Sequence, residues 1–180
     1  LPLAKLLLHL FTHRGYGIFR DELYYLACAD RLAWGYVDHP PLSIALLRGI
    51  TELLGDSLLA IRLVPAVAGA LTVLLVGLMA RRLGGGVFAQ ALGMLSAIAA
   101  PMYLALDHFY SMNALDLLFW ALAAYLLIGL PNALVLALLA GVLEAVPMIG
   151  PLLGAIPAAV IALSVAPSKL VWVIVATIII

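Results

Sequence analysis

One long apolar run sets the strongest constraint on how this chain folds. Residues 61–80 contain only Arg62 and Thr72 as polar interruptions. A helix of about 20 such residues crosses the hydrocarbon core of a bilayer, which is about 30 Å thick. In the whole chain 67% of residues are apolar and 10% are charged, against about 45–50% and about 25% in soluble domains. The sequence therefore predicts an integral membrane protein and excludes an ordinary soluble domain.

Four further windows are apolar enough for membrane helices, at residues 87–106, 112–130, 131–146 and 147–166. The last two contain several prolines and Glu144, which favours kinked or re-entrant segments. Residues 1–10 and 170–180 resemble parts of further helices, so we expect a fragment of a longer protein. Together the windows predict an all-α polytopic bundle with about five to six spans.

Residues 12–60 form the longest polar region and are expected to hold the chemistry. Helical periodicity over residues 22–34 and 42–54 predicts two amphipathic helices that lie along the membrane interface. If this loop lies on one side of the membrane, the spans at 61–80 and 87–106 cross and return. Asp107 and His108 are then predicted to lie on the same side as the loop.

Two stretches of the polar loop carry a family resemblance. They are GYGIFRDELYYLA at residues 15–27 and LAWGYVDHPPL at residues 32–42. Further stretches are GDS at 55–57, RLVP at 62–65, RRLGGG at 81–86 and SMNALDLLFW at 111–120. With them, residues 1–127 resemble the GT-C class of membrane glycosyltransferases. The resemblance is to relatives of the dolichyl-phosphate-mannose protein mannosyltransferases and the aminoarabinose lipid A transferases. It implies an enzyme that transfers a sugar from a polyprenyl-phosphate donor to an acceptor, although this chain is too short to be a complete one.

The resemblance also suggests which residues act. It implies Asp21, with Glu22 beside it, as the acid at the reacting centre and Asp38 as a second acidic partner. Loss of a proton by an acceptor hydroxyl requires a general base, and a carboxylate near the interface suits that role. The leaving phosphate requires cationic or hydrogen-bonding neighbours. The expected substrate-binding residues are Arg20, His39, Asp107 and His108.

Other interpretations of these residues remain open. Asp21 and Glu22 also suit a helix start, where acidic side chains favour the positive end of the helix dipole. Asp38 and His39 before two prolines also suit a solvated turn. A divalent cation held by Asp21 and Asp38 stays an alternative, whereas no metal site and no other cofactor is expected elsewhere.

Residues 129–180 resemble a different family, the autoinducer-2 exporter family of permease-like proteins. The resemblance rests on Glu144, Pro147, Gly150 and Pro151. We therefore expect a division into a glycosyltransferase-like region, 1–127, and exporter-like helices, 128–180, joined as a hybrid or composite. Glu144 is the candidate for ion-coupled transport, because an ionisable residue inside an apolar segment is by default a functional hypothesis.

Three functions follow from these patterns. The first is a GT-C glycosyltransferase fragment, and the alternatives are a permease-like transporter fragment and a non-catalytic accessory subunit of a larger membrane complex. The expected partners are the lipid bilayer, a polyprenyl-phosphate-linked sugar and other membrane subunits. Nine basic residues balance nine acidic ones, so no basic surface predicts nucleic-acid binding. The expected location is the bacterial inner membrane, with loop 12–60 facing outward.

Overall fold

The computed structural model describes residues 1–15 and 17–128, together with residues 156, 159–160, 162–164, 167–171 and 174. The helices of the described residues follow in chain order. They are α1 (Pro2–Thr12), α2 (Arg20–Ala29), α3 (Pro41–Leu54), α4 (Leu58–Arg82), α5 (Val87–Ala99), α6 (Pro101–Leu106) and α7 (Met112–Leu127), followed by a 3₁₀ turn at Pro167–Lys169. The described elements are thus helical, as the sequence predicts.

Helix α4 is the central element of the fold, and α1, α3, α5 and α7 all pack against it. Its start is defined by Ser57, whose hydroxyl accepts a hydrogen bond from the Ala60 N–H at 3.2 Å. Such a cap satisfies one of the N–H groups that have no partner within the helix. The positive charges of Arg81 and Arg82 lie in the last turn, where they interact favourably with the negative end of the helix dipole.

The predicted span at residues 61–80 is confirmed as a helix and extends to Leu58–Arg82. Among the described residues α4 is the one helix that is long and apolar enough to cross a membrane, with a mean hydropathy of 2.3. Helices α1, α5 and α7 are apolar but shorter. The predicted count of about five to six spans is therefore not confirmed. The window 131–146, with Glu144, and most of 147–166 lie outside the described residues.

The window 87–106 is not the continuous helix that we predicted. It is divided into α5 and α6 at Ala100, whose backbone is extended, with φ −64° and ψ 119°. The next residue, Pro101, disfavours a helical conformation at the residue before it and has no N–H for a helix hydrogen bond. The proline is visible in the sequence and predicts this break, although hydropathy alone does not.

The two helices predicted within the polar loop are present as α2 and α3, which pack against each other, and their location along the membrane interface stays a prediction. Helix α3 matches the predicted window closely. Of its apolar face predicted from periodicity, Ile44 and Leu47 are fully buried and Ile50 is partly buried, but Leu54 is exposed. Helix α2 ends at Ala29 instead of continuing to residue 34. Beyond it, the Tyr36 hydroxyl accepts from the Ala33 N–H at 2.8 Å, so this N–H bonds to a side chain instead of a helix carbonyl.

A compact apolar cluster joins the loop to the start of α4 and to the chain after α6. It contains Tyr25, Ala29, Ile44, Leu47, Ile61 and Tyr110. A second, smaller cluster joins α4 to α7 through Ala68, Ala114 and Leu115. Apolar burial therefore holds the polar loop over the N-terminal end of α4, where the functional candidates lie.

Gly69 on α4 lets another segment approach closely. A Cβ atom at this position would overlap the carboxylate of Asp107, which follows α6. Replacing Gly69 by any larger residue must displace that side chain, and Asp107 is itself buried. The contact explains why a glycine is required in the middle of this helix.

We expect Gly69→Ala to lower the free energy of unfolding by about 1–3 kcal/mol, because overpacking forces neighbouring groups apart. The matched control is Gly49→Ala in α3, where an added Cβ meets nothing within 4 Å. That change should raise stability by about 0.5–1 kcal/mol through the better helix propensity of alanine. Thermal unfolding in detergent micelles measures both, and equal effects of the two substitutions would contradict the proposed contact.

Candidate functional site

The site is organised around a buried ion pair between α2 and α4. Arg62 Nε lies 2.9 Å from Glu22 Oε1, and Arg62 Nη2 lies 2.8 Å from Glu22 Oε2. The Glu22 side chain is 0% exposed and that of Arg62 is 3% exposed. This bidentate geometry is the strong form of a guanidinium–carboxylate contact. It joins residues that are 40 positions apart in the chain.

Both partners of this pair also bind backbone groups from neighbouring segments. Arg62 donates to the carbonyl oxygens of His13, after α1, and of Gly17, before α2. Glu22 accepts from the Phe19 N–H at 2.8 Å and from the Tyr110 N–H at 3.0 Å. The pair thus fixes four chain segments, and each oxygen of Glu22 accepts two hydrogen bonds.

The hydrogen bonds to Glu22 determine its charge state. Burial alone would raise the pKa of the Glu22 carboxyl group. Hydrogen bonds from Arg62, Phe19 and Tyr110, together with the positive charge of Arg62, outweigh burial and hold this pKa below its ordinary value. Glu22 is therefore an anion that is already fully bonded within the protein.

Asp21, the residue before Glu22, has the opposite environment. Its side chain is 49% exposed and lies 3.1 Å from Nε of Arg20, which is itself 89% exposed. Tyr24 follows one turn later on α2, and its hydroxyl donates to Asp38 Oδ2 at 3.3 Å. Asp21 and Tyr24 are three residues apart and share a helix face. We call Asp21, Tyr24, Asp38 and His39 the exposed acidic face.

His39 lies within this face against two tyrosine rings. Its ring stacks on Tyr25, with 4.0 Å between the centroids, and its centroid lies 4.9 Å from that of Tyr24. Both ring nitrogens of His39 are shielded and have no hydrogen-bond partner among the described residues. Tyr25 in turn accepts the Met112 N–H at 2.9 Å. The predicted turn is therefore anchored by aromatic contacts.

A second buried ion pair involves another of the predicted substrate-binding residues. Lys5 Nζ on α1 lies 3.0 Å from Asp107 Oδ2 and donates to the Tyr103 carbonyl oxygen at 3.2 Å. Burial raises the pKa of the Asp107 carboxyl group, although the Lys5 ammonium opposes the rise. Next to it, His108 Nδ1 lies 3.5 Å from Nδ1 of His9. Burial and the charge of Arg62 lower the pKa of His108, which favours a neutral imidazole.

The segment after α6, which contains Asp107 and His108, contacts the polar loop, and the membrane side on which the two lie stays a prediction. Tyr110 contacts Glu22 through its N–H, and its hydroxyl donates to the Ser43 carbonyl oxygen. The Met112 N–H donates a hydrogen bond to the Tyr25 hydroxyl. The structure thus brings the Asp107–Tyr110 segment onto the loop that contains Asp21 and Asp38.

Two charged residues that take part in the site were not among the sequence candidates. In the sequence, Arg62 interrupts an apolar run and belongs to the RLVP stretch of the family resemblance, and Lys5 lies in the apolar first helix. Both had a readable signal, because a charged residue inside an apolar helix is costly and requires a partner. Their partners, Glu22 and Asp107, are distant in sequence and could not be paired from spacing alone.

The described residues hold no group of three or more His, Cys, Asp or Glu side chains that could share a metal ion. His9 on α1 and His13 directly after this helix are four residues apart, but each contacts another group. His9 faces His108, and His13 Nδ1 lies 2.6 Å from the Leu10 carbonyl oxygen. The site therefore consists of carboxylates, aromatic rings and cationic side chains.

Comparison with known families places this arrangement in context. Residues 38–149 match the model of the dolichyl-phosphate-mannose-protein mannosyltransferase family. The chain belongs to this family. No curated protein and no solved structure matches it. Membership supports the GT-C resemblance, and with it a membrane context and a lipid-linked sugar donor. The match begins at Asp38 and ends at residue 149, so Asp21 and Glu22 lie outside it.

We expect Glu22→Gln to lower the free energy of unfolding by about 3–5 kcal/mol, because it leaves the buried guanidinium of Arg62 without a counter-charge. Arg62→Lys keeps a charge but loses the bidentate contact, so a smaller loss is expected. Thermal unfolding in micelles measures both. A Glu22→Gln variant as stable as the parent would contradict the structural role of the pair.

The lowered pKa of Glu22 also predicts a pH dependence. Its contribution to stability is complete above the ordinary glutamate pKa, near 4.5, and is lost as the pH falls through the lower folded-state value. The folded-state pKa of Asp107 is raised instead, so ionisation of Asp107 lowers stability as the pH rises, in the parent and in Glu22→Gln alike. The difference in stability between the parent and Glu22→Gln should therefore shrink below about pH 4.5. A difference that stays constant down to pH 2 would contradict it.

Proposed function

We propose that this chain carries the catalytic-loop region of a membrane glycosyltransferase that uses a polyprenyl-phosphate-linked sugar. The observation that carries the proposal is the contrast within the acidic pair. Glu22 is buried with both oxygens occupied, whereas Asp21 is half exposed beside an exposed arginine. Of the two acids, only Asp21 has a carboxylate oxygen at the protein surface that can accept a proton from a substrate.

Asp21 then acts as the general base of the transfer. Its carboxylate takes the proton of an acceptor hydroxyl while the hydroxyl oxygen bonds to the anomeric carbon of the sugar. The bond between that carbon and the phosphate oxygen breaks, and the phosphate leaves with the electron pair. Glu22 is a positioning residue, because its bonds to Phe19 and Arg62 define where α2 begins and thus where Asp21 lies.

The donor phosphate would be met by groups on both sides of Asp21. Arg20 supplies an exposed guanidinium, whereas the ring nitrogens of His39 are shielded and have no hydrogen-bond partner among the described residues. His108 approaches from the segment after α6, and its neighbour Asp107 is the partner of Lys5. Asp38, hydrogen-bonded to Tyr24, is the second acid and orients the acceptor.

An apolar groove adjoins this face and suits the lipid part of the donor. It has a volume of about 540 Å³ and is lined by Leu32, Ala33, Trp34, Pro41, Leu42 and Ala45. The Trp34 side chain is almost fully exposed, as is common for aromatic residues at a membrane surface. Its position beside Asp38 and His39 in the chain would place an isoprenoid tail next to the phosphate contacts.

This proposal includes an outward-facing loop in a bacterial inner membrane. The exporter-like region at 128–180 and the accessory-subunit function stay predictions, and no contact among the described residues favours either. Glu144, on which the transport hypothesis depends, lies outside the described residues.

The decisive substitution is Asp21→Asn in the full-length protein that contains this chain, reconstituted in lipid nanodiscs. We expect sugar transfer from tritium-labelled dolichyl phosphate mannose to acceptor peptides to fall about 10²–10⁴-fold, the usual contribution of a general base. Donor binding should stay within about threefold, because the contacts to the phosphate are retained.

The matched control is Asp56→Asn, an exposed acid in the same loop that lines a groove beside the opposite end of α2. It should leave both transfer and donor binding unchanged. Transfer that persists in Asp21→Asn would rule out Asp21 as the base. Loss of folding in Asp21→Asn, seen as a lowered thermal midpoint, would assign it a structural role instead.

A further inference from the structure

A second buried ion pair joins α1 to the segment that follows α6. Lys5 is 0% exposed, and its ammonium group contacts both the carboxylate of Asp107 and the carbonyl oxygen of Tyr103. These groups are 102 and 98 residues away along the chain, as 107 − 5 and 103 − 5 show. A charge buried in an apolar helix is unfavourable unless it is paired, so this contact defines where α6 ends relative to α1.

The Asp107 carboxylate is also confined by α4. Gly69 leaves the space that this side chain occupies, since a Cβ atom there would overlap the carboxylate. Asp107 therefore has one position, defined by the ammonium group of α1 on one side and the bare backbone of α4 on the other. The position of Asp107 also restricts the position of His108, the next residue in the chain.

His108 contacts α1 one turn further along the helix, at His9. His9 lies four residues after Lys5 and thus on the same helix face, and its Nδ1 lies 3.5 Å from Nδ1 of His108. The next residue, Phe109, stacks on Phe19 with 4.6 Å between the ring centroids. Phe19 directly precedes α2. A continuous series of contacts therefore leads from Lys5 to the helix that bears Asp21.

We propose that Lys5 and Asp107 are a positioning pair that places the imidazole of His108 at the phosphate end of the donor site. The inference rests on the proposed function, in which His108 contacts the donor phosphate. Neither Lys5 nor Asp107 touches the donor, because both are buried and bonded to each other. Their effect on the donor passes through His108, and this distinguishes the pair from a contact that merely stabilises the fold.

The test is a mutant cycle between the pair and His108, measured as binding of tritium-labelled dolichyl phosphate mannose by the full-length protein in nanodiscs. Lys5→Met combined with Asp107→Asn removes both charges together and leaves no buried charge unpaired. We expect this double variant to unfold within about 3 °C of the parent and to bind the donor about tenfold more weakly. His108→Ala should cause a similar loss.

The combination of all three substitutions decides the proposal. If the pair acts through His108, the triple variant binds no more weakly than His108→Ala alone, because the two effects are coupled. A multiplied loss of about a hundredfold would show that the pair acts independently of His108 and would overturn the proposal. Unchanged binding in the double variant would overturn it as well.

A second comparison keeps the proposal testable if the double variant does not fold. Lys5→Arg retains a positive charge opposite Asp107 and should keep donor binding within about threefold of the parent, whereas Lys5→Gln should not. Equal losses in the two would contradict the positioning role.

The outcome is separable from that of the proposed function. His108→Ala without effect on binding, alongside loss of transfer in Asp21→Asn, would overturn the positioning role and leave the base intact. Coupled losses of donor binding alongside normal transfer in Asp21→Asn would support the positioning role and remove Asp21 as the base.

Discussion

The buried contact between Glu22 and Arg62 is the interaction on which the rest of the structure depends. A guanidinium placed in an apolar helix requires a counter-charge, because charge burial without one is strongly unfavourable. Here the counter-charge comes from a loop helix 40 residues earlier in the chain, and the remaining donors of Arg62 bind two loop carbonyl oxygens. The need to satisfy one side chain therefore determines the path of the loop.

The same contact separates two adjacent acids into different roles. Consecutive residues on a helix point about 100° apart, so when Glu22 faces the core, Asp21 must face outward. The exposed carboxylate of Asp21, one oxygen of which is bonded to Arg20, and the saturated oxygens of Glu22 follow from one helix orientation. The second pair, Lys5 with Asp107, has an equivalent effect on the segment that ends at Tyr110, and both pairs converge on the start of α2 through Phe19, Glu22 and Phe109.

Much of the fold was predictable from local patterns. Apolar length indicated α4, periodicity indicated α3, and the parity of crossings placed Asp107 and His108 beside the polar loop. Other elements differed where a local rule had been given too little weight. Pro101 breaks the window at 87–106, and the backbone after Ala29 turns toward Tyr36 instead of continuing α2. The candidate site was predicted as a set of residue types, but Arg62 and Lys5 were absent from it.

The resemblance to a known family implied Asp21, Glu22 and Asp38 as the acids of interest. The sequence by itself determined that the described chain is helical and apolar and that its longest polar region is loop 12–60. Hydropathy and periodicity encode these properties because they depend on neighbouring residues. Only the tertiary structure decided which acid is buried and which is exposed. It also decided which cation pairs with which carboxylate, because these contacts join residues about 40 to 100 positions apart. Charge burial makes such pairing obligatory, but the partner depends on how the helices pack.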